Sequence, residues 1–342
     1  MNAYELPQPY LLFMGDATEA GFAKTALGLK DWAPERCIGE WHLPGGTVFT
    51  GLPELAPQQA YANGARAMLI GVAAVGGAIM PHWLPALVEA LEAGLDLISG
   101  MHTRMADTPA LVETAERCGR RLYDVRTPPK SLPIGKGNKR SGRRLLTVGT
   151  DCALGKKYTA LALTTALQAR GVAVHFRATG QTGIMIAGAG IPIDAVVSDF
   201  VAGAAELLSP AADGAHWDII EGQGSLFHPS FAGVSLGLLH GSQPDVLVLC
   251  HEAGRTHMLG LPDYQVPSLR EAIELHLMLA RRVNPAVRVA AVSLNTSQLS
   301  DADALAAINA VREELGIPCA DPLRHPVEFA ELVDACLAAA SA

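Results

Sequence analysis

The stretch Leu145-Leu146-Thr147-Val148-Gly149-Thr150-Asp151-Cys152-Ala153-Leu154-Gly155-Lys156-Lys157-Tyr158-Thr159 decides the fold. An apolar run meets a glycine, a second glycine follows, and paired lysines open a helix-forming segment. This is a buried strand, a Gly-bounded turn and a helix start. Gly149 and Gly155 permit backbone angles closed to residues with a Cβ. The N–H groups of Thr150, Asp151, Cys152, Ala153, Leu154 and Tyr158 are then expected to join Gly149 and Gly155 around phosphate oxygens. The helix N-terminus adds a partial positive charge, and Lys156 and Lys157 add full ones. The whole stretch from Gly149 to Tyr158 is therefore the candidate cofactor site.

Two departures from the usual phosphate loop matter. Five residues, 150–154, separate the glycines where four are usual, and Lys157 stands where a Ser or Thr usually ligates Mg²⁺. An ammonium cannot ligate a metal, but a second one helps neutralise a diphosphate. The loop is expected to hold a phosphate-bearing carrier without metal-dependent cleavage of a nucleoside triphosphate. Thr159 could still reach a metal if the helix starts late.

Downstream, strands are expected at 144–148, 173–177, 217–220, 246–250 and 287–294. Helices are expected at 156–169, 195–208, 234–239, 269–281, 302–315 and 326–340. Upstream, strands at 10–14, 67–72, 96–99 and 122–125 alternate with helices at 20–30, 83–93 and 109–117. Such alternation predicts α/β architecture with parallel sheets and helices on both faces. Between them, TPPKSLPIGKGNKRSG is rich in Pro, Gly, Ser and Lys. It reads as a solvated hinge and sets the domains at 1–127 and 143–342, joined by a linker at 128–142.

In an open α/β sheet the ligand lies beyond the carboxyl ends of the strands. Glu221, Gln223, Ser225 and His228 follow the strand at 217–220. Glu221 suits a general base or a metal ligand, and the other three are candidate substrate contacts. His251, Glu252, Arg255 and His257 follow the strand at 246–250. That density of ionisable groups past a buried strand points to chemistry. His251 and His257 are candidates for proton transfer, and Arg255 for gripping a carboxylate bidentately. Thr179, Gln181, Thr182 and Asp199 are further candidate substrate contacts, and Asn295 a candidate contact for an adenine ring. Asp321-Pro322-Leu323-Arg324 closes another strand end. In the first half Gly15-Asp16, His42, Gly76, Gly77 and His102 stand at turns, but no GxGxxG fingerprint is present, so that half is expected to cover the site or build a dimer.

Composition excludes several classes. A net charge of −8 gives no general attraction to nucleic acid. The Cys residues form no CxxC pair, and His-Glu-x-x-x-x-His is not the zinc-helix spacing, so no metal site is expected. Reduced thiols suit the cytoplasm. Neither a signal peptide nor a membrane-length apolar run is apparent.

PYLLFMGD at 9–16, GTDCALGKKYTALAL at 149–163, FRATGQTGI at 176–184, HWDIIEGQGSLFHPSF at 216–231 and LCHEAGRTHMLGLPDY at 249–264 together resemble the DgcN-type D-glutamate N-acetyltransferases. The resemblance runs over nearly the whole chain. It implies a Rossmann-like N-terminal domain, a P-loop C-terminal domain, and acetyl transfer from acetyl-CoA to the amino group of D-glutamate, a small-molecule acceptor. Coenzyme A carries phosphates that need no hydrolysis, which agrees with a loop bearing Lys156-Lys157. A base among Glu221, His251 and His257 would deprotonate the amine. Two other readings stand beside it. One is a Mg-ATP-dependent ligase or kinase, since GTDCALGKK is similar to the stretched loop of dethiobiotin synthetase. The other is a nucleotide-sensing switch.

Overall fold

The structure, a computed structural model, describes residues 5–72 and 77–340. The chain forms two compact units. One contains residues up to Pro128 together with Gly180–Ala195; the other contains Pro129–Thr179 and the rest of the chain from Val196.

The first unit is built on a parallel sheet of β1 (Tyr10–Gly15), β2 (Cys37–His42), β3 (Ala67–Ile70), β4 (Asp96–Ser99) and β5 (Leu122–Asp124), in the order β2-β1-β3-β4-β5. That is a doubly wound order. Its helices are α1 (Lys24–Trp32), α2 (Pro57–Ala62), α3 (Leu84–Glu92) and α4 (Pro109–Cys118). Every residue of β1 and β3 is buried, which is why both read as unbroken apolar runs. Gly76, expected in the turn after β3, lies outside the described residues.

The second unit opens with β6 (Arg143–Gly149), α5 (Lys156–Ala169) and β7 (Val174–Arg177). The chain then lends α6 (Gln181–Ala187) to the first unit and returns with α7 (Val201–Leu208), β8 (Trp217–Ile220), α8 (Ala232–Ser242) and β9 (Val246–Glu252). A short hairpin, β10 (His257–Met258) and β11 (Leu261–Gln265), follows. Next come α9 (Leu269–Ala280), β12 (Arg288–Asn295), α10 (Asp301–Leu315), β13 (Cys319–Ala320) and α11 (Pro326–Ala339). The sheet is parallel, in the order β13-β12-β9-β6-β8-β7. α5 and α11 bury Leu163, Leu167, Leu332 and Val333 against β6, β8, β9 and β12, while α8 and α9 pack on β6, β9 and β12. The chain leaves β6 toward β7 and β8, then resumes on its other side with β9. The crevice beyond the carboxyl ends of these strands is therefore a topological switch point, where α/β sheets bind ligands.

Three expectations need correction. The helix expected at 195–208 begins at Val201, because Val197 is extended (φ −58°, ψ 135°) and interrupts the helical ladder. The stretch after Thr179 was expected with the second half but packs with the first. The basic cluster at the linker is not a solvated hinge. Arg140 donates to Ser209 O, Gly241 O and Gln243 Oε1, and Lys139 pairs with Asp245 at 2.7 Å. Arg144, wholly buried, donates to the carbonyls of Arg140, Ser141 and Pro210. Buried carbonyls need donors, and these guanidinium groups supply them. No described helix is long and apolar enough to cross a membrane.

Candidate active site

β6 delivers the loop into the switch-point crevice. Gly155 caps α5 in the left-handed region at φ 103°, and Ala153 also holds a positive φ of 54°. A non-glycine residue there is strained, as is common at binding loops. Lys156 is the first residue of α5 and is buried, with Nζ donating to Asp151 O at 2.8 Å. Burial holds its ammonium below the ordinary lysine range. An arriving anion would favour the charged form. The Lys157 ammonium lies 4.8 Å from the centre of the Tyr158 ring. Thr159 is no substitute metal ligand. One turn into α5 it faces the sheet, donating to Gly155 O and sharing a 2.8 Å hydrogen bond with Ser293 Oγ.

Two further segments are tied to this loop. In the segment after β8, Gly222 N donates to Thr147 Oγ1 at 3.0 Å and Ser225 Oγ to Thr150 O at 3.0 Å. A Cβ on Gly222 would lie 1.7 Å from Thr147 O, so only glycine allows this approach. Buried Glu221 accepts from Thr179 N at 2.9 Å, and Gln223 Nε2 donates to Thr179 Oγ1 at 2.9 Å. His228 is buried and stacks on Phe231, its Nδ1 accepting from Ser230 N at 3.1 Å.

The segment after β9 closes the other side. His251 Nδ1 and Thr150 Oγ1 are 2.8 Å apart. Burial, helped by Arg255, pushes the His251 imidazole down to about 4, so it is neutral near pH 7. Arg255 is engaged by protein carboxylates, donating to Asp151 Oδ2 at 2.8 Å and to Glu252 Oε2 at 2.6 Å. It also donates to Cys152 O, which fixes the loop's apex. An open groove of about 600 Å³ runs beside the loop, with His251, Arg255, Thr256, Val266, Leu294 and Val311 in its walls.

The crevice thus gathers Thr150, Asp151, Cys152, Lys156, Thr179, Glu221, Gln223, Ser225, His228, His251 and Arg255. Other candidates stand apart from this network. His257 is exposed at the base of the hairpin, bonded to Thr256. Asp199 is exposed in the turn before α7. Asn295 touches the site only through its backbone, where O accepts from Ala253 N. Gln181 and Thr182 lie in the first unit, bonded to Arg126 and Thr25. Sequence reasoning passed over Thr147, which bonds the Lys156 carbonyl and Gly222 N, and Ser235, which donates to Gln223 O. It also passed over His276, which lines a small void behind the loop. A hydroxyl within an apolar strand or helix is the signal that could have found the first two.

The P-loop domain model DUF1611_C, described as a domain of unknown function, matches residues 133–332. This chain belongs to the DUF1611 family. The Rossmann-like DUF1611_N model matches residues 42–128, so both domain types implied by the resemblance are borne out. A crystal structure of a DUF1611 family protein from Anabaena variabilis superposes with a TM-score of 0.85 at 34% identity, covering 97% of this chain and 99% of that one. Two curated relatives match almost end to end. The D-glutamate N-acetyltransferase of Tritonibacter scottomollicae is 51% identical over 330 residues, covering 96% of this chain and 98% of the relative. The D-glutamate N-acetyltransferase of a Pseudoalteromonas species is 48% identical over 324 residues, covering 95% and 98%.

Proposed function

We propose that this protein is a D-glutamate N-acetyltransferase that uses acetyl-CoA as donor. The near-full-length identity to two enzymes bearing that name carries the reading. The site chemistry supports it. The amides of the Gly149–Lys157 loop and the buried ammonium of Lys156 suit the diphosphate of the acyl carrier. The hydroxyl that a Mg-ATP enzyme would require after the lysine is replaced by Lys157, and Thr159 is turned to Ser293. The amine of D-glutamate must lose a proton before it attacks the thioester. His251, held by Thr150 beside the loop, is our candidate for that step on geometry, with Glu221 the second choice. The acceptor we propose is a small amino acid, and with it a homo-oligomer working in the cytoplasm.

The test is release of free thiol from acetyl-CoA in the presence of D- or L-glutamate. Thiol release that requires D-glutamate and yields the N-acetyl product is expected. Absence of thiol release with every amino acid offered would refute the reading.

A further inference from the structure

We propose that Asp151, Cys152 and His228 form a mononuclear site for a divalent transition metal of the zinc class, one position being left for a substrate or water oxygen. Each residue offers one ligand atom, and the three atoms lie within 4.8 Å of one another. Asp151 and His228 are buried, and Cys152 is half-buried.

The independent sign of a missing partner is on Asp151. Its Oδ2 accepts from Arg255 Nη1 and from Leu259 N, whereas Oδ1 is buried with no hydrogen-bond partner. Buried carboxylate oxygens are rarely left so, because an unmet acceptor costs its full desolvation. A bare cation would be held roughly 2.0–2.3 Å from each ligand. Tetrahedral ligands at those lengths stand roughly 3.3–3.8 Å apart, so the cluster, whose atoms lie within 4.8 Å of one another, has to close by about 1.5 Å at most. Thiolate, imidazole and carboxylate together select zinc or cobalt over magnesium, which prefers an all-oxygen shell.

Loading moves two protons. The Cys152 thiol, which burial holds above its ordinary range, releases its proton to solvent as the metal–sulfur bond forms. On His228, Nδ1 accepts from Ser230 N. Binding at Nε2 transfers the ring hydrogen to Nδ1 and opens that contact, which the exposed turn at Pro229 and Ser230 permits. Arg255 on Asp151 Oδ2 and Lys156 on the Asp151 carbonyl oppose the incoming charge but favour the thiolate.

The test uses the full-length protein, stripped with a chelator and titrated with Co²⁺. A thiolate-to-cobalt charge-transfer band, saturating at one equivalent and bleached by Zn²⁺, is expected. Cys152→Ser should abolish the band while Cys250→Ser, whose sulfur sits beside Thr159, keeps it. His228→Gln should weaken binding at least 10-fold, with circular dichroism confirming that each variant folds. Cobalt bound without a thiolate band would point to the sulfur-free group His175, His216 and Asp218 and overturn the proposal. A band that survives in Cys152→Ser, or no binding at all, would overturn it equally. These readouts do not depend on acetyl transfer, so they stand or fall apart from the functional reading.

Discussion

Arg255 looked in the sequence like a hand for a substrate carboxylate, yet its guanidinium is held between Asp151 and Glu252. With Asp151 fully buried and Arg255 nearly so, removing the cation leaves an uncompensated charge inside the protein. Arg255→Met is therefore expected to lower unfolding stability by about 3–5 kcal/mol in urea titration. Adding Asp151→Asn should recover part of that loss. An unchanged urea midpoint in the single variant would return Arg255 to substrate binding. Protons make a second test. Burial pushes His251 and His276 down to about 4 in the folded state, from an ordinary 6.5. Between those values the unfolded chain binds more protons, so stability falls as pH drops from about 6.5 to about 4 and levels off below. Each histidine contributes a slope of up to about 1.4 kcal/mol per pH unit in that window. Replacing His276 by Gln should flatten the denaturation-against-pH curve correspondingly.

At the scale of elements, the position of α8 decides where Gln223 sits, because Ser235 on that helix donates to Gln223 O at 2.8 Å. α8 lies close to α7 through glycines. A Cβ on Gly241 would come within 2.1 Å of Ala202 O, and one on Gly237 within 2.5 Å of Val201. Gly241→Ala should thus push the helices apart and destabilise by about 3 kcal/mol or more, measured by thermal unfolding. Nothing local in AGVSLGLLHGS announces this, since small residues in a helix read only as weak formers. The strand–loop–helix unit from β6 through α5 was legible because burial on both faces makes parallel strands continuously apolar, and Gly155 followed by Lys156 marks the helix start. β2 was not, because it carries Glu40 at a buried position. There Thr50 hydrogen-bonds it through both its N–H and its hydroxyl, a partner ten residues away. The excursion of α6 was equally hidden. Its buried Ile184, Met185 and Ile186 state that some core receives them, not which one. In the site, Thr150, Glu221 and His251 could be picked out as polar groups at strand ends. The pairing of Cys152 with His228 needs the fold, because the residues share no sequence spacing that any metal motif uses.

For the whole molecule, the proposed acetyl-CoA reading divides on which end of the donor the loop would hold. The pantetheine arm is comparable to about four extended residues, so diphosphate and thioester can stand on the order of 15 Å apart. A loop that grips the diphosphate acts on affinity for the carrier, whereas a loop that holds the reacting carbonyl acts on the chemical step. S-acetylpantetheine separates these, because it keeps the thioester and lacks the diphosphate. If Lys156 and the loop amides serve the diphosphate, Lys156→Ala should cut kcat/KM for acetyl-CoA by about 100-fold, largely through KM. With S-acetylpantetheine, already a poor donor, the same substitution should change little. The two losses would then be non-additive, as they must be for groups that meet each other in the complex. Equal losses with both donors would move Lys156 to the reacting end and leave the diphosphate to be held elsewhere. In that event the neutral His251 and the unpartnered Asp151 oxygen would both lie where the acyl group changes hands.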